Sequence, residues 1–340
     1  MERLFYFYTM RKTLLLIIAT LGWVGCTESE DLVQMTNQGP AQGSTYSISY
    51  LVPEGVDYRK GIDSILKVMD QQMSLWVDNS EISLLNSGGS VLLSTDFAQV
   101  LKLSKVYAEL TEGYFDITVA PMVKAWGFSR GTYKGEVNVD SLMAFVGSDK
   151  LPPIHSDSAL ALLPGMQIDV NAIAQGYTVD VLEDYLRSKG VSNYLIEVGG
   201  EVICRGTNAA GRKWRIGIDK PEEDRSEGMF QTIVELDTMA LATSGNYRKF
   251  WVDERGQKVV HTINPKNGQP VLSNLLSASV IAPNATLADA LGTASMAMGS
   301  EAALEFLEEL PKVEAYFITS TKLGELKVVT TSGWEKYSLD

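Results

Sequence analysis

Two cysteines, two histidines and 29 basic residues are all that this 340-residue chain offers of those types. Cys26 sits at the end of an apolar leader and Cys204 far from it, so no internal disulfide holds the fold once Cys26 is otherwise engaged. The 29 Lys and Arg face 42 Asp and Glu, a formal net charge of −13. Without clustered basic residues the chain lacks the footprint that nucleic-acid phosphates require. A small anionic ligand held through a metal ion is not excluded by that charge. No segment repeats at the spacing of a solenoid. The longest apolar run falls well short of the roughly 20 residues that span a bilayer.

That short run lies at the N-terminus. Arg11 and Lys12 precede the apolar stretch Leu14 to Leu21, followed by Leu21-Gly22-Trp23-Val24-Gly25-Cys26. A charged region, a short apolar region and a small residue before a cysteine describe an export signal. Met10 would begin it more economically than Met1. The pattern resembles a bacterial lipobox, with Trp23 where Leu is usual, and makes Cys26 the candidate for lipidation. The expected organisation is therefore a signal peptide over 1–25, a lipid-anchored polar tether over 26–40 and one domain over 41–340. A cleaved secretory signal and an uncleaved anchor are the alternatives. The implied location is an exported lipoprotein on a membrane, facing the periplasm of a Gram-negative bacterium.

Within 41–340 the pattern predicts an α+β fold with mixed sheets and packed helices. Ser44 to Val52 alternates as a strand, and Ile62, Leu66, Met69 and Met73 recur at helical spacing. A second helix carries Phe97, Val100, Leu101 and Tyr107, with Ser94, Thr95 or Asp96 as its cap. Ile168 to Val170 reads as a short strand entering a helix that Gly190 closes. Strands are expected at 194–198, near Val202, across Trp214–Ile218, and at 232–243, 248–253 and 258–263. Helices over 286–298 and 301–310 and a hairpin turning at Leu323-Gly324 complete the chain.

Four segments hold more Gly, Asp, Ser, Thr and His than a packed core needs. In Gly113 to Pro121, Asp116 lies among apolar neighbours, where a carboxylate must be paired, liganded or used as a cap. Asp169 to Tyr177 runs from strand to helix through small residues, leaving backbone N–H groups for a phosphate; many such turns bind nothing. Thr243 to Tyr247 is followed by His261-Thr262-Ile263-Asn264-Pro265, where His261 is a candidate catalytic group or a structural one. His155, in a polar loop, is read as inert. On the late helix, Asp289 and Thr293 are i and i+4 and share a face. That pair suits a hard cation, or else forms a solvated polar face.

In this order, the segments resemble the ApbE family, the FAD:protein FMN transferases. The matching stretches are Met73 to Trp76 with Asp78 to Ser83, Gly113 to Phe128, Asp169 to Tyr177, Glu197 to Glu201, Ala242 to Tyr247, His261 to Pro270, and Ala282-Pro283 with Leu287 to Thr293. The resemblance implies an ApbE-like fold with a flavin cleft between sub-regions. It implies FAD contacts at Trp76, Tyr114, Phe115, Asp116, Asp169, Gln175, Ser244, Gly245 and Ile263. It implies Mg2+ held by the carbonyl of Ala172 and the side chains of Asp289 and Thr293, with phosphate oxygens and water completing the shell. Three positions depart from the family pattern: Gln42-Gly43-Ser44 stands where Met-Gly-Thr is common, Gln175 where Lys is common, and Asn264 where Asp is common.

The activity implied is magnesium-dependent transfer of FMN from FAD to a Ser or Thr hydroxyl of a target flavoprotein, with AMP leaving. The acceptor class is a flavoprotein subunit of a membrane redox complex. His261 is the candidate general base or hydroxyl-orienting group, since an imidazole can be neutral near pH 7. Two alternatives stand beside it: an FAD pyrophosphatase giving FMN and AMP, and a non-catalytic FAD-binding lipoprotein.

Overall fold

The computed structural model describes residues 32–340 except 131, 132, 134, 157, 222–229, 247–249, 253–255, 257, 322 and 340. The expected signal peptide, Cys26 and Tyr247 lie outside the described residues. From Val33 onward the chain forms one compact unit.

Eight strands build its large sheet: β1 (Leu32–Ala41), β2 (Ser44–Pro53), β3 (Tyr194–Val198), β4 (Glu201–Arg205), β5 (Met239–Gly245), β6 (Leu275–Ala282), β7 (Glu314–Ser320) and β8 (Leu326–Thr330). Their spatial order is their order in the chain. Each pair from β2 to β8 is antiparallel. Where mixed sheets were expected, a single antiparallel meander carries the fold, and its long connections carry the helices. The α+β class stands, as it requires only that helices be segregated from the strands.

Residues 32–40, expected as the end of a polar tether, belong instead to edge strand β1. Hydropathy hides this strand because its pairing is polar: Thr36 bonds the Ser49 hydroxyl at 2.9 Å, and Gln38 donates to that of Ser47 at 3.1 Å.

Two faces of the sheet are covered differently. On one, Ile196, Val198, Ile203, Ala240, Ala242, Ala278 and Val280 pack against Val179, Leu182, Ala288 and Leu291. These last belong to α3 (Ala174–Ser188) and α4 (Ala285–Met298), numbered after α1 (Arg59–Met73) and α2 (Thr95–Leu110). The other face, through Cys204, Leu241, Ile281 and Ile318, is covered by Trp214, Ile218, Val234 and Leu236 of a separate antiparallel ribbon and by Trp334. Alternation along each strand divides the two sets, as a two-residue period requires.

A further core lies behind the helices. Met69 and Met73 of α1, Phe97 and Leu101 of α2, and Ile168, Val170 and Ile173 meet Ala290 and Ala294 of α4. Helix α4 therefore touches apolar groups on several sides and is buried along nearly its whole length, as an all-round apolar helix must be. Its N-terminus is capped twice. Asn284 accepts from the N–H of Leu287 at 2.8 Å, and Asp180 of α3 accepts from the N–H groups of Ala285 and Thr286 at 2.8 and 2.9 Å and from the Thr286 hydroxyl.

Two other expectations change. Ile168 and Val170 are buried, but their segment is not a strand, since Asn86 occupies both the N–H and the carbonyl of Ile168 at 2.8 Å each. The expected strand over 232–243 is two strands, Phe230–Leu236 and β5. They are separated at Asp237-Thr238, where Thr238 takes a left-handed φ of 59°. Among the described residues, no helix is long and apolar enough to cross a membrane.

Candidate active site

Contacts between distant parts of the chain connect all four chemistry-bearing segments. The first joins the second where the N–H of Asp169 donates to the carbonyl of Ile117 at 2.8 Å. The second joins the fourth where the N–H of Gly176 donates to Asp289 Oδ2 at 3.1 Å. The fourth meets the third where the hydroxyls of Ser244 and Thr293 lie 3.5 Å apart, at the limit of hydrogen-bond length. The third returns to the first three times: Lys266 Nζ stands 4.4 Å above the Tyr114 ring, Trp126 Nε1 donates to the carbonyl of Gly268 at 2.9 Å, and the Phe128 and His261 rings meet edge-on at 6.2 Å.

The start of α3 shows why the second segment differs from an ordinary turn. The N–H of Ala174 reaches Val170 and that of Tyr177 reaches Ile173. Between them, the N–H of Gly176 is given to Asp289. The carbonyl of Ala172 thus does not receive the bond that helical continuation would bring it. Close approach makes this possible: a Cβ on Gly176 would lie 2.3 Å from the Ala285 carbonyl oxygen and 2.9 Å from Asp289 Cβ. Gly292 does the same between α4 and β5, where a Cβ would lie 3.0 Å from Ser244 Oγ.

Asp289 is buried and Thr293 half-buried, so the polar face they share is not a freely solvated one. Burial pushes its carboxyl up to about 7; the Gly176 bond opposes this, and the charge of Asp180 adds to it. Glu201, at the start of β4, is equally withdrawn, with one carboxylate oxygen buried and unpartnered. Burial and then the charge of Asp289 hold its carboxyl well above the usual range. A divalent cation between such groups would favour their ionised forms and supply the missing partner. The released carbonyl of Ala172, the carboxylate of Asp289 and the hydroxyl of Thr293 are all oxygen donors, the chemistry Mg2+ requires. These residues therefore fit a magnesium ion. Among the described residues no group of three or more His, Cys, Asp or Glu could hold a metal; the set implied by the resemblance contains only one such residue.

The remaining candidates divide. Trp76 is 62% exposed, with the Arg130 guanidinium 5.4 Å from its ring and Arg130 paired to Asp78 at 2.8 Å. It is an aromatic face open to a planar ligand. Tyr114 is half-buried beneath Lys266. Phe115 is 1% exposed and packs edge-on against Tyr107, so its side chain belongs to the core and only its backbone can serve a ligand. Asp116 is a cap, accepting from the N–H and hydroxyl of Thr118 at 2.8 and 2.6 Å and from the N–H of Ser148 at 2.7 Å. Its burial is thereby satisfied without a ligand. Asp169 Oδ1 accepts from the N–H of Asn171 at 2.9 Å, which tightens the turn.

The Gln175 side chain lies so close to Gly199 that a Cβ there would stand 2.1 Å from its Nε2, and Gly199 also takes a left-handed φ of 70°. Gly245 ends β5 opposite Ser277. Ile263 is buried with Met122 and Val146 and anchors a short ribbon opposite Pro270. Asn264 accepts from the N–H of Lys266 at 2.9 Å and so builds the turn beyond His261. His155 is exposed. Glu201 is the residue missed as a site candidate. Its period-two relation to Ile203, together with a carboxylate directly after Gly199-Gly200, was the available signal.

Comparison with known proteins gives the family of the chain. The protein-family model described as the ApbE family matches residues 42–317. The FAD:protein FMN transferase of Vibrio cholerae is 34% identical over 334 residues, spanning 95% of this chain and 98% of that protein. The Escherichia coli K12 protein of the same name is 30% identical over 326 residues, spanning 89% and 91%. Among solved structures, flavin transferase ApbE from Vibrio cholerae superposes with a TM-score of 0.77 at 32% identity, covering 90% of this chain and 99% of that one. The apo form of Pseudomonas stutzeri flavinyl transferase ApbE gives 0.78 at 30%, covering 90% and 96%. All of the linked segments fall inside the matched span, and so the chain belongs to the ApbE family.

Proposed function

We propose that this protein is a magnesium-dependent FAD:protein FMN transferase, moving FMN from FAD to a Ser or Thr hydroxyl of a target flavoprotein and releasing AMP. The observation that carries the reading is the approach of Ala172, Asp289, Thr293 and Ser244, drawn from three distant segments, where α4 packs closely against α3 and β5. The names of the relatives support the flavin transfer itself.

In this reading Ala172, Asp289 and Thr293 hold the cation, which when bound offsets the negative charge of the pyrophosphate. Trp76 and Tyr114 offer aromatic faces to the flavin or adenine ring. Ser244 and Gly245 line the same cleft, and Lys266 brings a positive charge to it. His261 takes the proton of the acceptor hydroxyl as that oxygen attacks the FMN-side phosphorus and the bond to AMP breaks. Phe128 packs against one edge of that imidazole.

The test is mass spectrometry of a co-expressed candidate acceptor, with FAD and Mg2+ supplied. FMN should appear on a Ser or Thr, and AMP should form in equal amount. EDTA should stop both. Asp289→Ala should abolish transfer, and His261→Ala should leave a trace, since general-base help is worth about 10²–10⁴ in rate. AMP formed without a modified acceptor would establish a pyrophosphatase instead. We further propose an exported protein, anchored to a membrane through lipidated Cys26 and facing the periplasm, acting on a flavoprotein subunit of a membrane redox complex.

A further inference from the structure

We propose that Glu201 supplies a second carboxylate charge to the cation site of Asp289. This rests on the reading that Asp289 and Thr293 hold a divalent cation.

Strand alternation sets the direction of the side chain. Glu201 and Ile203 are two apart on β4, and Ile203 packs in the core shared with α3 and α4, whereas Cys204 packs in the core on the opposite face. Side chains two apart share a face. Glu201 therefore points into the helix layer that contains Asp289.

Local contacts bring it to the same corner. Gly199, two residues before Glu201, is covered by the Gln175 side chain. The next residue after Gln175, Gly176, gives its N–H to Asp289. The tight turn at Gly199 and Gly200, both at left-handed φ, lets β4 begin here, with the N–H of Gly200 held by Glu197 Oε1 at 2.9 Å.

The side chain itself is the independent observation. Glu201 is 7% exposed, and its Oε2 is buried with no hydrogen-bond partner. A structural carboxylate in a core is ordinarily saturated with donors, as Asp116 is here and as the half-buried Asp180 is too. Glu201 retains an oxygen with nothing to accept from, on the face turned toward the helix layer that holds the one buried carboxylate the proposed function assigns to a cation. A divalent ion held at Asp289 would give that oxygen a partner and offset the negative charge of both carboxylates.

The experiment is a Mn2+ titration of the full chain, following free Mn2+ by electron paramagnetic resonance and the melting temperature in parallel. The proteins are the parent, Glu201→Gln, Glu201→Asp and, as a control for loss of a neighbouring charge, Glu197→Gln. Glu201→Gln should bind Mn2+ roughly 10- to 100-fold more weakly, the range for removing a supporting group at a metal site. Without metal it should melt at or above the parent temperature, since an unpaired buried carboxylate has been removed. Glu201→Asp keeps the charge but not the reach and should also bind more weakly, which preserves the test if the amide variant does not fold. Glu197→Gln should match the parent.

If Glu201→Gln and Glu201→Asp bind Mn2+ as the parent does, this inference falls and the cation site stands. Equal weakening in Glu197→Gln also overturns it, leaving only a general charge effect. No Mn2+ binding by the parent overturns the inference and the cation reading together.

Discussion

Replacing Gly176 by Ala should damage this protein although it improves a helix. Gly176 is the third residue of α3, and in a helix Ala is ordinarily favoured over Gly by about 1 kcal/mol. The added methyl would stand 2.3 Å from the carbonyl oxygen of Ala285. Ordinary contact begins near 3.4 Å, so α3 and the start of α4 must separate by about 1 Å. Backbone cannot rotate away as a side-chain tip can, and overpacking of this kind costs about 1–3 kcal/mol. The net expectation is a loss of up to about 2 kcal/mol.

The greater effect falls on the site. The same separation stretches the Gly176–Asp289 bond, now 3.1 Å, and moves Asp289 away from the Ala172 turn. Displacement by about 1 Å can cost on the order of 100-fold in rate. The comparison variant is Gly61→Ala in α1, whose methyl would meet the outer end of the Tyr185 ring, with the hydroxyl 1.9 Å and Cζ 2.3 Å away, on a side chain that can swing aside. It should change stability by less than about 1 kcal/mol and leave transfer intact. Chemical denaturation and FMN transfer to an acceptor, run on both variants, decide the matter. A Gly176→Ala protein as stable and as active as the parent would refute the claim that this close approach builds the site.

Asp180→Ala removes the acceptor of three bonds at the head of α4 and should cost about 1–2 kcal/mol by denaturant titration. Burial raises the Asp180 carboxyl from 3.8 to about 6. The folded state therefore binds that proton more tightly, and its contribution is full below about pH 4 and lost as pH rises through about 6. Relative to Asp180→Asn, the parent should lose on the order of 2 kcal/mol of stability between about pH 4 and 6; parallel curves would contradict this. Cys204 is fully buried, and burial pushes its thiol up to about 12. In a Cys26→Ser protein it should react with a thiol reagent at about pH 8 only after denaturation, and rapid labelling of the native protein would show the placement to be wrong.

Helix α1 was legible because Ile62, Leu66, Met69 and Met73 repeat at helical spacing and all four are buried. The cap of α2 was legible because Ser94 stands where a short polar side chain can accept from the N–H of Phe97. What escaped reading was held by partners that hydropathy does not record. Strand β1 is paired through Thr and Gln side chains. Ile168 looks like a strand residue, yet its backbone bonds go to one asparagine. The break at Thr238 has no glycine to announce it. Three bonds compensate the left-handed backbone there: the Thr238 N–H gives to Cys204, while Asp237 accepts from the Thr238 hydroxyl and the Gly206 N–H. Similarly, Asp289 and Thr293 could be placed on one helix face, but not whether that face was wet. Only the layers on both sides of α4 decide that.

The two halves of the candidate site rest on unlike supports, and under the proposed function this physical difference matches a division of roles. The half with Ala172, Asp289, Thr293 and Ser244 stands on α3, α4 and β5, at the meeting of two main cores. Its spacing is fixed by close contacts at Gly176 and Gly292. A cation that tolerates little error in ligand distance needs such support. The half with His261 and Lys266 stands on short ribbons and on the aromatic series Trp126, Tyr133 and Trp251, with ring centroids 6.1 and 4.6 Å apart. Its own core is small, formed by Met122, Val146 and Ile263. A surface that must accept a segment of another protein gains from a support that can adjust without moving the cation. Substitutions along the aromatic series should therefore weaken acceptor use while leaving Mn2+ affinity within about twofold of the parent, whereas Gly176→Ala should impair both. Trp251→Ala is the direct case: its indole N–H donates to the carbonyl of Trp126 at 3.1 Å. An equal loss of cation binding in Trp251→Ala would show that the two halves move as one body.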